Sequence, residues 1–82
     1  MYFKTKDIIR VNIKKIHEEK DSIIYFIEKY KLTGHARGII NFSNGVNNTA
    51  ICRFKNCVLQ IPFKYLKLIK SQHNHPLTHI FV

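Results

Sequence analysis

The segment "HNHPLTH" gathers His73, His75 and His79 in one short stretch, and imidazoles grouped in this way are natural zinc ligands. The surrounding residues argue against a site. His75 precedes Pro76 and is therefore biased to an extended backbone, no carboxylate lies nearby, and a fourth ligand would have to come from Cys52, Cys57 or water. The spacing of the two cysteines fits neither a CxxC redox pair nor a paired zinc knuckle, and both read as small buried thiols. No Ser/His/Asp arrangement, phosphate-binding glycine loop or carboxylate pair is present. The expectation is no metal, no cofactor, no small-molecule substrate and no enzymatic activity. Asn41-Phe42-Ser43 and Asn47-Asn48-Thr49 match the glycosylation sequon, which we ascribe to an Asn-rich chain for which no secretory signal is expected.

Charge is the more informative chemistry. The chain has 82 residues, 14 Lys and Arg against 5 Asp and Glu, and a formal net charge of +9. The cations are spread along the sequence instead of being collected in a tail, which describes a basic surface around a folded body and suits a polyanionic partner. Ordered RNA is bound by cations at phosphate spacing, because A-form helices hide their base edges. The candidate RNA-binding residues are Arg10, Lys14 and Lys15 in the first apolar segment, Arg37 before the third, Arg53 and Lys55 at a hairpin, and Lys64, Lys67 and Lys70 further on. Arg37 and Arg53 are the strongest, since arginine occurs only three times and a guanidinium binds phosphate bidentately or stacks on a base. If six of these residues neutralise phosphates, log K falls against log salt with a slope of roughly −4 to −5. Among the aromatics, Tyr25, Phe26, Tyr30, Phe42, Phe54 and Phe63 are expected in the core and Tyr2 and Tyr65 at the surface.

A chain of this length is expected to form one small domain over residues 1–82 that buries about 60% of its unfolded surface. Residues Ile8 to Ile16 read as a half-buried strand with Ile9, Val11 and Ile13 inward and Arg10, Asn12 and Lys14 outward. "HEEKD" is a polar break. "SIIYFIEKYKLTG" is ambiguous: its β-branched and aromatic start favours a strand, whereas Ile23, Phe26, Ile27 and Tyr30 also keep helical spacing, with Asp21 or Ser22 as N-cap and Gly34 as terminator. Strand is the preferred reading, with one short helix in 21–31 as the alternative. "RGIINFSNG" is a third run closed by Asn44-Gly45, a pair suited to a tight hairpin turn. Residues Asn48 to Phe54 return with Thr49, Ile51 and Arg53 on one side and Ala50, Cys52 and Phe54 on the other. Cys57 to Ile61 forms the next strand, ended by Pro62. "FKYLKLIK" alternates imperfectly, and "LTHIFV" is a last strand. Five or six short strands without room for βαβ units predict an all-β fold, a small barrel or compact sheet.

The spacing of Gly45, Asn47, Thr49 and Arg53 in "GVNNTAICR" resembles the Gly-Leu-Asn-Glu-Thr-Phe-Thr-Val-Arg signature of the bacterial-type large-subunit ribosomal protein nineteen family. "KDIIRV" from Lys6 is similar to that family's Gly-Asp-x-Val-Arg-Val, "RGIIN" from Arg37 to its Glu-Gly-Val-Val-Ile, and "VLQIPF" from Val58 to its Val-Glu-Arg-x-Phe-Pro. "HPLTHIFV" resembles its closing Ser-Pro and alternating strand. Five matches run in the same order across nearly the whole chain. The departures are Lys6 for Gly, Asn48 for the acidic residue, Ala50 for the aromatic, and extra residues between Lys14 and Gly38 and between Phe63 and Pro76. The resemblance implies an SH3-like barrel that binds ribosomal RNA near the subunit interface, as a structural constituent of the large subunit beside neighbouring ribosomal proteins.

Ile, Lys, Asn, Phe and Tyr make up half of the chain, and their A/T-rich codons point to an AT-rich genome. A mitochondrial ribosome is the expected location, with a plastid or the cytoplasm of a reduced AT-rich bacterium as alternatives. "MYFKTKDIIRV" shows no long apolar stretch and no small-residue cleavage site, so no secretory signal is expected. No apolar run approaches the ~18 residues of a membrane span. The reading from a different class is a small basic protein-interaction or assembly subunit of an organellar membrane complex.

Overall fold

The computed structural model describes residues 3–71. In chain order it contains β1 (Ile8–Val11), α1 (Ile13–Glu19), α2 (Ile24–Lys29), β2 (Arg37–Asn44), β3 (Thr49–Arg53), β4 (Val58–Pro62), a 3-10 turn (Phe63–Tyr65) and β5 (Leu66–Lys70). The strands form one antiparallel sheet in the order β4-β3-β2-β1-β5. A meander from β2 to β4, a 3-10 turn and a final strand returning to β1 make a small barrel-like fold, mostly β as the succession of short strands predicts. Irregular register between Ile8 and Ile9 and between Ile40 and Phe42 adds the local bend and twist that curl such a sheet.

Two strand expectations are overturned. The first strand stops at Val11, because the Asn12 Oδ1 accepts a hydrogen bond from the Lys15 N–H at 3.0 Å and so caps a helix. That helix places Ile16 at 0% exposure and takes in most of the expected polar break. It ends at Lys20, whose φ of 55° is the left-handed conformation of a helix C-terminus.

Residues 24–29 are likewise helical. The Asp21 Oδ1 accepts the Ile23 N–H at 3.0 Å, and Ile23 and Ile27, four residues apart on one face, are both buried. A strand would have sent these two inward together with Tyr25, which is exposed. The stop is not Gly34: left-handed Lys31 ends the segment, with the Leu32 N–H donating to the Ile27 carbonyl at 2.9 Å.

The β2–β3 connection also differs from the expected tight turn. Asn44 Oδ1 accepts the N–H groups of Val46 and Asn47 at 3.0 and 3.3 Å. The left-handed residue is Asn48, at φ 54°, and not Gly45. Beyond it, the expected sidedness of β3 holds, with Ala50 and Cys52 buried and Thr49, Ile51 and Arg53 facing outward. The last predicted strand, "LTHIFV", lies outside the described residues, as do Tyr2, His73, His75 and His79.

The core is built from the inward rows of the strands, with Ile9, Ile40, Cys52 and Ile61 each at 0% exposure. Phe3 packs against Phe63, ring centroids 5.3 Å apart, and the Ser43 hydroxyl donates to the Phe3 carbonyl. Phe54 closes one end by lying against Gly38: a Cβ there would come within 2.5 Å of the ring. Tyr65, expected at the surface, is 1% exposed. It sits between the barrel and the helical segment, and its hydroxyl is 2.9 Å from both Glu19 Oε1 and Asp21 Oδ2. Conversely, Tyr25, Phe26 and Phe42, expected in the core, are exposed.

Candidate nucleic-acid interface

Strand register turns the scattered cations into an ordered face. Arg10 on β1 lies directly opposite Arg37 on β2 and opposite Lys67 on β5, so three cations cross the outer surface of the sheet in one row. In the adjacent row Ile8 is opposite Lys70 and Ile39, Ile39 is opposite Arg53, and Arg53 is opposite Val58 on β4. All three arginines of the chain thus project from one side of the sheet. Directly opposed side chains have Cβ atoms about 4.5–5.5 Å apart, and like charges at that separation are destabilising. An anion along the row relieves that repulsion.

No acidic residue dilutes this face. The chain has none after Glu28, so β2 to β5 carry no negative side chain at all. Asp7 is 3% exposed and accepts the Lys4 N–H at 2.9 Å, while Glu18, Glu19, Asp21 and Glu28 belong to the helical segment.

Two grooves flank the cationic row. One, of about 350 Å³, is lined by Arg10, Lys14, His35 and Lys67. The other, of about 300 Å³, is lined by Lys31, Arg37 and Lys55 with Phe54 beside them. Larger concavities occur on other surfaces, and the one between α2 and β4, lined by Phe26, Tyr30, Val58 and Gln60 among others, has no Lys or Arg in its wall. Size therefore does not track charge here. For a polyanion, the smaller basic grooves are the relevant ones, because backbone recognition depends on cation placement and not on enclosure.

Among the residues expected to bind RNA, Arg10, Arg37, Arg53, Lys67 and Lys70 share the outer face, and Lys14 and Lys55 stand at its grooves. Two are placed elsewhere. Lys64 pairs with Glu19 at 2.8 Å and lies over the Tyr65 ring at 5.2 Å. Lys15, on α1, contributes to the field at Glu19. Lys31 and His35 join the grooves without having been singled out in the sequence; their positions depend on the turn that follows α2, and neither residue belongs to a local pattern.

The helical side has its own electrostatics. The hydrogen bond from Lys64, then that from Tyr65, lowers the Glu19 carboxyl. Asp21 is lowered first by the Ile23 N–H and then by Tyr65. Burial, followed by the two carboxylate acceptors, pushes the Tyr65 phenol up to about 12, so it remains a donor at neutral pH. This cluster ties the helical segment to the 3-10 turn. Burial also raises both thiols, Cys52 to about 12, which keeps them protonated and poor nucleophiles or ligands.

Among the described residues, no group of three or more His, Cys, Asp or Glu side chains is placed to hold a metal ion, and no helix is long and apolar enough to cross a membrane. Comparison of the chain with protein-family models, with curated proteins and with solved structures gives no match in any of the three.

Proposed function

We propose that this chain is a structural RNA-binding protein whose outer sheet face grips the phosphate backbone. The observation that carries this reading is the gathering of Arg10, Arg37, Arg53, Lys67 and Lys70 on one acid-free side of the sheet. Opposed guanidinium groups repel one another across the strands, and phosphate oxygens accept their planar, paired donors. Binding through phosphates needs no access to the base edges that an A-form helix hides.

Within that class, we favour a constituent of an organellar large ribosomal subunit, mitochondrial before plastid, held on ribosomal RNA near the subunit interface beside other ribosomal proteins. This finer assignment rests on the ordered resemblance of four stretches that lie at β1, β2, β3 with its preceding turn, and β4. The additional residues between Lys14 and Gly38 relative to that family include most of α1 and the whole of α2, on the side of Tyr65. A role in positioning RNA asks for no catalytic group, and the raised thiols supply none.

Gradient sedimentation of organelle lysate, before and after RNase, tests the proposal. Co-migration with the large subunit that is abolished by RNase is the expected result. A protein that stays at the top of the gradient at low salt overturns the ribosomal role. Retention on membranes after RNase and a moderate salt wash transfers the basic face to a membrane complex instead.

A further inference from the structure

Phe42 is 58% exposed although it belongs to a strand whose neighbours Ile40 and Ala50 are buried. The cause is the register shift between Ile40 and Phe42. Simple alternation from Ile40 would direct Phe42 into the core; the irregularity instead pairs it with Ile51, on the outward row of β3. Two residues along the same row of β3 stands Arg53. A diagonal neighbour in a regular antiparallel ladder is about 7–8 Å away, so Phe42 and Arg53 belong to one outward surface, which they share with half-buried Ile51 and Ile39.

We infer that Phe42 is a stacking platform for an unpaired base of single-stranded RNA, with Arg53 taking the phosphate beside that base and Arg37, Arg10 and Lys67 continuing the backbone track. The inference rests on the RNA-binding role of the outer face and adds to it a preferred strandedness. Every base has a π face, so stacking tolerates sequence. In an A-form duplex those faces are already stacked on one another, and Phe42 gains nothing from paired RNA. The cations alone do not discriminate in this way.

The test compares full-length protein with its Phe42→Ala variant on an oligouridylate of about ten nucleotides, a length within the range of small single-strand sites, and on the same oligonucleotide annealed to its complement. Loss of one stacked base weakens single-strand binding by about 5- to 150-fold, while duplex binding is expected to stay unchanged. The chain contains no tryptophan, so Phe42→Trp introduces a single indole whose fluorescence is quenched on adding the oligouridylate. If Phe42→Ala binds the single strand as tightly as the parent, or the indole is not quenched at saturation, the stacking inference is overturned while the backbone-binding role stands. If the parent binds neither RNA at low salt, both readings fall together. Phe42 is exposed, so the alanine variant is expected to fold; an unchanged melting temperature verifies this.

Discussion

Replacing Arg10 and Arg37 together with alanine tests the cationic face most directly. They are directly opposed on β1 and β2, on a sheet whose strands β2 to β5 carry no acidic side chain. If Arg10, Arg37, Arg53, Lys67 and Lys70 each neutralise one phosphate, log K for a single strand falls with log salt at a slope of about −3.5, since each contact contributes about 0.7. The double variant is expected to bring the slope to about −2.1. Removing two like charges that face each other is expected to leave the free protein as stable as the parent or slightly more so, by about 0.2–1 kcal/mol. The control is Lys15→Ala with Lys64→Ala, which removes the same formal charge from the helical side and is expected to keep the parental slope. Fluorescence anisotropy of a labelled oligonucleotide across a salt series gives the slopes, and thermal melts without RNA give the stabilities. An unchanged slope for the Arg10 and Arg37 double variant, or an equal decrease for the Lys15 and Lys64 control, refutes the face and leaves only diffuse attraction by net charge.

Gly38→Ala forces a Cβ into the Phe54 ring, 2.5 Å from its nearest atom, and is expected to destabilise the domain by about 1–3 kcal/mol in urea denaturation. Asn12→Ala removes the side-chain cap of α1 and is expected to cost about 1 kcal/mol, read by the same method, with loss of helical circular dichroism. The Tyr65 cluster imposes a pH dependence on both limbs. Glu19 and Asp21 are lowered from their ordinary values of 4.5 and 3.8, so their stabilisation is full above those values and is lost as pH falls through the folded-state values. Tyr65 is raised from 10.0 to about 12, so its contribution is full below pH 10 and is lost as pH rises towards 12. Melting temperature measured against pH is expected to fall on both sides, and Tyr65→Phe is expected to flatten the alkaline limb between pH 10 and 12; an unaltered alkaline limb refutes the assignment.

Local pattern made the meander legible. Asn48 to Phe54 alternates cleanly, and β3 buries Ala50 and Cys52 as that alternation requires, because a strand with one wet face needs nothing beyond period two. "IIRVNIKKI" was not legible in the same way. Its isoleucines satisfy a strand period as far as Val11 and a helical one from Ile13, and the choice turns on an Asn12 side chain that a longer strand would have left in solvent. Tyr65 and Phe42 exchanged their expected places for nonlocal reasons. The carboxylates of Glu19 and Asp21, more than forty residues away in sequence, supply the partners that let a phenol be buried, and a register shift in β2 turns a ring outward.

By itself, the sequence determined the excess of positive charge, the lack of any acidic residue after Glu28 and the alternation of the strands, all of which are properties of composition or of near neighbours. Tertiary structure decided which cations act together. Arg10, Arg37 and Lys67 meet because pairing β1 with both β2 and β5 fixes their register, whereas Lys64, three residues before Lys67, is drawn to Glu19 on the helical side. A single residue type at a given spacing carries no information about that choice, because strand register and ion pairing are set by partners distant in the chain.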